Sequence, residues 1–389
     1  MLTQAENERL TRVGPGTPAG ELLRRYWHPV AFAAELTEQN PTMFVRLLGE
    51  DLVLFKDKSG SVGLLGYHCS HRGASLLYGR VEERGIACAY HGWLYDVAGN
   101  CLETPAEPEG SRFHLAVKHK AYPVQRFIGF YWAYLGPLPA PAIPKLDVWA
   151  RRDGTRKIHR RPLLDCNWFQ AMENSVDSAH AEILHQEARG RGRKPVSTTR
   201  GFIDDIAEFS YYEFPYGIMK SRCYRDGRKD EHPVVFPNIL REATGTHIRV
   251  PVDDTHTWVW YVSFLPDPEG RELEQTGEPP HEYLEPYKTP ADQPHPFTRF
   301  RMDRVDAQDY TVWETQGPIT NRATEHLATA DRGVVMLREM LAREITKVEE
   351  GIDPIGVIRN LDHPMIDTQL EGTIEGLRAR GDGRLTARR

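Results

Sequence analysis

Two cysteine–histidine pairs stand close together in this 389-residue chain. Cys69-Ser70-His71 is followed, after a short interval, by Cys88-Ala89-Tyr90-His91-Gly92-Trp93. Two soft thiolates and two imidazoles on tight loops suit tetrahedral zinc, or an iron–sulfur cluster with Cys69 and Cys88 on one iron and His71 and His91 on the other. A structural zinc site usually staples a small loop-rich module. Here both pairs lie in a stretch already rich in short apolar strands, which favours the cluster. Neutral imidazoles in place of two thiolates reduce its negative charge and raise its potential. Gly73 and Gly92, each just after a ligand histidine, permit close backbone approach.

A second group is Asn174-x-x-Asp177-x-x-His180-x-x-x-x-His185. Asp177 and His180 are i, i+3 and share a face of a regular helix. His180 and His185 are about 140° apart on such a helix. They meet on one metal only if the helix ends, bulges or bends near His185. The histidine pair by itself is as compatible with core or surface positions as with a metal. Four acids stand close together further along, Asp303, Asp306, Asp309 and Glu314. Asn174 suits either the lining of a metal pocket or a helix cap. Arg222 and Arg249 lie on strand-like runs, where either could anchor a carboxylate by a bidentate pair or simply point to solvent.

The elements that must position these groups fall into two regions. Thr3 and Glu6 form a capping box for a short helix, Gly14-Pro15-Gly16 breaks the chain, and Pro18 to Trp27 resumes a helical pattern. Short alternating strands follow from Met43 to Gly66, with Lys58-Ser59-Gly60 as a hairpin turn. Phe127 to Leu135 reads as one buried strand, and the prolines from Pro137 to Pro144 as a linker. The expected division is therefore 1–144 and 145–389. In the second region Asn167 to His185 reads as one helix. Ile206–Phe214, Ile218–Tyr224, His247–Val252 and Thr257–Phe264 read as strands, with a solvated basic loop at Arg189, Arg191, Arg193 and Lys194. Leu265 to Phe297, with eight prolines, reads as a surface excursion, either a lid or an intersubunit arm. Arg322 to Glu349 is helical and amphipathic through Leu327, Val334, Leu337 and Leu341.

Composition narrows the class. The 49 basic and 55 acidic side chains leave a net charge of −6, so neither nucleic acid nor an anionic membrane surface attracts the chain. Five cysteines are too few and too odd for a disulfide scaffold, which points to a reducing, cytoplasmic setting. The uncharged run Phe127–Pro144 contains four prolines and cannot be a spanning helix, and the N-terminus lacks the apolar core of a signal peptide.

The segments Cys-Ser-His-Arg-Gly-Ala and Cys-Ala-Tyr-His-Gly-Trp resemble the cluster loops of Rieske oxygenases. Asn-x-x-Asp-x-x-His-x-x-x-x-His downstream of them matches that family's mononuclear iron motif. The likeness is to the catalytic (alpha) subunits of the phthalate-dioxygenase-like branch and runs from Leu10-Thr11-Arg12-Val13-Gly14-Pro15-Gly16 to the C-terminal helix. Val250 to Thr257 is also similar to that branch, and no ligand position departs from the pattern. Respiratory Rieske proteins carry an extra disulfide between the loops, but Ala74 and Tyr90 stand in the corresponding places.

The resemblance implies an α+β fold: an N-terminal β-rich Rieske domain and a C-terminal helix-grip, START-like domain with an antiparallel sheet. It implies a Rieske [2Fe–2S] cluster on Cys69, His71, Cys88 and His91. It also implies a mononuclear Fe(II) on His180, His185 and, from the Asp before Glu-x-Gln-Gly, Asp309. Asp177 is implied to link His180 to His91 of the partner subunit in a head-to-tail trimer, single or stacked. No dinucleotide fingerprint is evident, so electrons would come from a separate reductase, in this branch one with FMN and a plant-type [2Fe–2S] centre, or from a ferredoxin. Three functions follow. The chain could be a terminal oxygenase using O₂ to hydroxylate a small aromatic compound, commonly an aromatic acid. It could be a monooxygenase performing O- or N-demethylation or aryl-ether cleavage. It could be an electron carrier without chemistry of its own, which a complete second iron site argues against.

Overall fold

The computed structural model describes residues 1–185, 203, 205–288 and 300–379. Thr3 caps the helix Gln4–Thr11 as expected. Its hydroxyl accepts the Glu6 N–H at 3.2 Å, and the Glu6 carboxylate accepts the Thr3 N–H at 2.7 Å. The next helix, Pro18–Leu23, is shorter than its apolar pattern suggests. Trp27 instead opens a strand, Trp27–Phe32, because pairing with Phe130–Tyr134 buries Trp27 and Phe32.

Three small antiparallel sheets follow. The strands Thr42–Leu47, Glu50–Lys56, Val62–Gly66 and Ala121–Tyr122 form one, in that order. The expected hairpin turn is there, closed by Asp57, whose Oδ1 accepts the Ser61 N–H at 2.8 Å. Arg80–Glu82, Gly85–Ala87, Leu94–Tyr95 and Cys101–Glu103 form the second. The third places Phe130–Tyr134 between Trp27–Phe32 and Val124–Phe127. The single strand expected from Phe127 to Leu135 is thus divided. Ile128 (φ +45°) and Gly129 (φ +82°) turn the chain back in two left-handed residues, the backbone that a two-residue hairpin demands. An isoleucine at positive φ is an uncommon solution, and apolar content alone conceals it.

The remaining strands build one eight-stranded sheet. Its order is Ile206–Phe214, Gly217–Tyr224, Lys229–Val235, Ile239–Glu242, Gly245–Pro251, Thr257–Pro266, Gly154–Arg160 and His281–Tyr283. All pairs are antiparallel except the last, where His281–Tyr283 runs parallel to Gly154–Arg160. The wholly antiparallel sheet of the expectation therefore gains one parallel edge. It comes from the proline-rich excursion, whose residues 289–297 lie outside the described residues, as does the basic segment 189–194.

Helices cover this sheet: Asp147–Ala150, Trp168–Val176, His180–Ile183, Val305–Thr315, Arg332–Glu349 and Leu370–Ala379. The helix expected from Arg322 starts only at Arg332. Leu327 is exposed, while Val334, Leu337 and Leu341 are buried. The first 24 residues also pack here: Asn7 Nδ2 donates to the Thr320 carbonyl, and Arg9 pairs with Glu349 at 2.6 Å.

The helix expected over Asn167–His185 is interrupted. Asn167 caps its start by accepting the Phe169 N–H at 3.0 Å, and Trp168, Phe169, Met172 and Val176 are buried along it. It stops at Val176 because Asp177 is extended (φ −75°, ψ 120°). The Asp177 Oδ1 accepts the Ala179 N–H at 2.8 Å and approaches the His180 N–H at 3.4 Å, an Asx turn that competes with helix continuation. Asp177 and His180 therefore meet across a bend and not along one helical face. His180–Ile183 is a single turn that ends just before His185, which is the helix end the histidine pair requires.

Candidate metal centres

The two cysteine–histidine loops are near copies of each other. The Cys69 carbonyl accepts the Gly73 N–H, and the Cys88 carbonyl accepts the Gly92 N–H, both at 2.9 Å. The Cys69 N–H donates to Ala74 O at 2.8 Å, and the Cys88 N–H to Trp93 O at 2.9 Å. Gly73 and Gly92 stand at φ +73° and +72°, so the visible demand on both glycines is a left-handed backbone. Cys69 and Cys88 are each 3% exposed, whereas His71 is exposed and His91 half-buried. The imidazole rings are 4.5 Å apart, and His71 stacks on Trp93 at 4.4 Å and 5°. Burial pushes the Cys69 thiol up, and Cys88 beside it adds to the shift. Such a pair is stable as thiolates only with a cation to neutralise it. The Tyr95 hydroxyl, 3.3 Å from Cys69 Sγ, is placed to donate to that sulfur. The loops thus fit a cluster with its thiolate iron inside and its imidazole iron at the surface.

The second centre gathers three candidate ligands from distant segments. His180, His185 and Asp309 offer atoms within 4.8 Å of one another. Asp309 Oδ1 is 3.2 Å from His185 Nε2 and 3.7 Å from His180 Nε2. That oxygen is buried and has no hydrogen-bond partner among the described residues. A buried carboxylate oxygen facing two ring nitrogens is costly unless a cation sits among them, so the donor set fits a metal. Two imidazoles and one carboxylate are the facial set that leaves positions open on iron. The other acids are engaged elsewhere. Asp306 pairs with Arg161 and Arg304, Asp303 is exposed near Arg301, and Glu314 binds Lys288 at 2.8 Å and the Tyr287 hydroxyl.

Neighbours orient these ligands. Gln308 Nε2 donates to Met302 O at 2.8 Å, which turns its Oε1 toward His185 Nδ1 at 2.9 Å. The Nδ1–H tautomer results, and Nε2 faces Asp309. Asp177 Oδ2 lies 3.4 Å from His180 Nδ1. Burial pushes the Asp177 carboxyl up, but His180, the Ala179 N–H and Lys220 more than offset this and hold it below its ordinary value. Beneath them Glu173 binds both Arg322 (2.6 Å) and Arg338 (2.7 Å), a buried cluster that fixes the end of the Trp168–Val176 helix.

A cavity of ≈ 560 Å³ reaches Asp309 from the sheet side, lined by Arg161, His247, Arg249, Tyr261, Tyr310 and Trp313 among others. Arg249 is 2% exposed. One of its nitrogens donates to His247 O at 3.0 Å, but its Nε has no partner among the described residues. Burial pushes its guanidinium down to about 10. Arg222 differs. It is held by Glu182 at 2.6 Å and by Asp230, so the carboxylate anchor considered there is already supplied from within the chain. Asn174 is half-buried beside His180, Arg249 and Asp309.

Sequence reasoning missed Arg161, Lys220, His232, Glu242 and His247, which line the cavities at Asp309, and Asp230 and Gln308, which hold Arg222 and His185 from outside them. A signal existed. Lys220/Arg222, Asp230/His232 and His247/Arg249 are ionisable pairs at i, i+2 on strands, so each pair shares a sheet face. Here Lys220, Arg222, His232, His247 and Arg249 line a small cavity with the candidate ligands His180, His185 and Asp309.

Residues 26–124 match the model of the Rieske [2Fe–2S] domain. The chain is 36% identical to the oxygenase subunit of 5,5′-dehydrodivanillate O-demethylase from Sphingobium sp. (strain NBRC 103272 / SYK-6), over 97% of this chain and 90% of that one. It is 33% identical to the phthalate 4,5-dioxygenase oxygenase subunit of Pseudomonas putida, over 92% and 89%. The fold is similar to a crystal structure of dicamba monooxygenase with non-heme iron and dicamba, at a TM-score of 0.56 and 15% identity, over 85% of this chain and 99% of that one. Among the described residues no helix is long and apolar enough to cross a membrane. With cluster loops, a two-histidine-one-carboxylate site and relatives matched along nearly their whole length, the chain belongs to the Rieske non-haem iron oxygenases, as an oxygenase subunit.

Proposed function

We propose that Cys69, His71, Cys88 and His91 hold the [2Fe–2S] cluster, and that His180, His185 and Asp309 hold one Fe(II). There, a small aromatic compound, with an aromatic carboxylate as the favoured case, is hydroxylated with O₂. The observation that carries this reading is the buried, unpartnered Asp309 Oδ1 facing both histidines. When bound, the cluster supplies electrons singly and the iron supplies open positions for O₂. The chain's own residues do the rest. Arg249 offers an under-bonded guanidinium to a substrate carboxylate at the wall of the cavity. Tyr261, Tyr310 and Trp313 give that cavity aromatic walls, and ≈ 560 Å³ suits a small aromatic molecule.

Division of the work follows the chain: residues 1–144 carry the cluster, residues 145–389 the iron and substrate. Electrons cross between subunits in a head-to-tail trimer, with Asp177 joining His180 to His91 of the partner subunit. The exposed His71, the half-buried His91 beside it and the open ≈ 640 Å³ groove at Asp177 and His180 support this route. The electron source is a separate NAD(P)H-dependent reductase carrying FMN and a plant-type [2Fe–2S] centre, or a ferredoxin. The working compartment is the cytoplasm. O-demethylation is the second reading, favoured by the 36% identity to the dehydrodivanillate O-demethylase subunit. Product analysis on paired methoxylated and unsubstituted aromatic acids separates the two. Asp177→Asn tests the route. The cluster spectrum and the iron content stay normal, while reoxidation of the reduced cluster by substrate and O₂ nearly stops. Wild-type reoxidation in this variant would remove Asp177 from the path.

A further inference from the structure

One buried histidine beside the first cysteine–histidine loop is not among the proposed ligands. His119 is 5% exposed, and it joins that loop to the strand before it. Its Nε2 lies 2.9 Å from the carbonyl oxygen of Gly66, the last residue of Val62–Gly66. Its Nδ1 lies 2.6 Å from Oγ of Ser70, the residue between Cys69 and His71. A carbonyl can only accept, so the ring hydrogen is on Nε2, and Nδ1 accepts the Ser70 hydroxyl proton. Both ring nitrogens are thus engaged within the protein, and neither is left for a metal. Burial pushes the proton affinity of the ring down, which keeps it neutral and this arrangement in place. The ring also lies against that of Tyr95, with centroids 4.7 Å apart and planes at 35°.

Tyr95 is fully buried, and its hydroxyl is the group 3.3 Å from Cys69 Sγ. Its own strand is a poor anchor for that ring. Leu94–Tyr95 is two residues long, and its pairing with Cys101–Glu103 shifts register between the two. His119 supplies a further constraint. We propose that His119 is a positioning residue for the cluster's reduction potential: it tethers the first loop through Ser70 and holds the Tyr95 hydroxyl on the Cys69 sulfur. This rests on the reading of Cys69, His71, Cys88 and His91 as the cluster ligands. The physical link is charge. An added electron makes a thiolate sulfur a stronger acceptor, so a hydroxyl donor stabilises the reduced cluster more than the oxidised one. The potential therefore stands higher with the Tyr95 donor in place than without it. Loss of His119 releases Ser70 and lets the Tyr95 ring shift, so the hydrogen bond to sulfur weakens and the potential falls. No atom is transferred in this role. The imidazole sets where the Tyr95 hydroxyl points.

The cluster potential of the whole protein, read by spectroelectrochemical titration, tests this independently of turnover. Tyr95→Phe removes the donor. It is expected to shift the reduced-to-oxidised ratio at a fixed poise about tenfold toward oxidised, a fall of ~59 mV for one electron. His119→Leu is expected to shift the ratio the same way by about threefold, with the cluster retained. Combined with Tyr95→Phe it should add almost nothing, because both act on one hydrogen bond. A wild-type potential in His119→Leu would overturn the proposal. A shift that adds in full to that of Tyr95→Phe would overturn it equally, since His119 would then act on its own. If His119→Leu fails to hold its cluster, Ser70→Ala decides, because it cuts the tether at an exposed residue and leaves the buried ring in place. A potential lowered less than in Tyr95→Phe supports the tether, and an unchanged one overturns it. Wild-type protein with no sulfide-containing cluster would instead undo the ligand reading on which the proposal stands.

Discussion

The two candidate metal centres solve the same problem in opposite ways. All four proposed cluster ligands lie between positions 69 and 91, on loops that each close on themselves through a cysteine carbonyl and a glycine N–H. A separate small core, including Val53, Phe55, Leu65, Ile86 and Tyr95, backs them. The proposed iron ligands lie at 180, 185 and 309, and no single loop brings all three together. Their geometry depends on where the Trp168–Val176 helix ends, on the buried Glu173–Arg322–Arg338 cluster beneath it, and on Gln308 from the Val305–Thr315 helix. A locally closed site depends on its own loops, whereas an assembled site depends on residues far from the metal.

Removing a ligand at either centre tests whether the two are separable, and has the largest effect. Cys88→Ala is expected to lose the cluster absorbance and labile sulfide while leaving the mononuclear iron. His185→Ala and Asp309→Ala are each expected to lose that iron while leaving the cluster spectrum. Metal analysis beside the visible spectrum decides it. Zinc in place of iron and sulfide in the wild type would undo the assignment of the first site.

Glu173→Ala probes the dependence on distant packing. It leaves Arg322, 0% exposed, and Arg338, 7% exposed, without their shared carboxylate. Breaking a buried ion cluster from one side costs about 3–5 kcal/mol. Calorimetry should show the catalytic region melting earlier, with the cluster region moved much less. Equal shifts in both would show that the regions unfold as one unit and that the contrast is one of sequence only.

That contrast explains what could be read from the chain. Cys-x-His and Cys-x-x-His are self-contained, so spacing marked out a candidate metal site, and its strand-rich setting and the resemblance chose a cluster over zinc. The second needed a resemblance to select Asp309, since Asp303, Asp306 and Glu314 are chemically equivalent until their ion pairs are seen. The break at Asp177 escaped notice because no glycine or proline marks it. An aspartate side chain capping its own backbone does the work instead. Ile128 hid a turn in the same way. Arg222 stood open between substrate anchor and solvent-facing residue because its partners Glu182 and Asp230 become neighbours only in the folded sheet.

Gln308→Leu sharpens the comparison on a smaller scale. It keeps the bulk but removes the acceptor that sets the His185 tautomer. Losing such an orienting partner typically lowers metal affinity about 10–100-fold. Iron retention during dialysis against a chelator is the measurement. The cluster, whose loops make no use of Gln308, should be unaffected. Retention equal to wild type would mean that packing alone orients His185.

The smallest expected effects come from the cluster loops themselves, where two glycines share one conformation but not one environment. Gly73 and Gly92 have φ within a degree of each other, so alanine at either meets the same left-handed backbone penalty, about 1–2 kcal/mol. Surroundings then separate them. A Cβ at Gly73 would meet no protein atom within 4 Å, whereas one at Gly92 would sit 3.2 Å from Pro105 Cγ, within a proline ring that has little freedom to yield. Gly92→Ala should therefore bleach the cluster at a lower temperature than Gly73→Ala, and both at a lower temperature than wild type. Thermal bleaching followed in the visible absorbance gives the order directly. If Gly73→Ala proves the more damaging, the contact with Pro105 is not what separates the two positions. The dominant constraint at the first would then be space for the cluster and not the turn of the backbone.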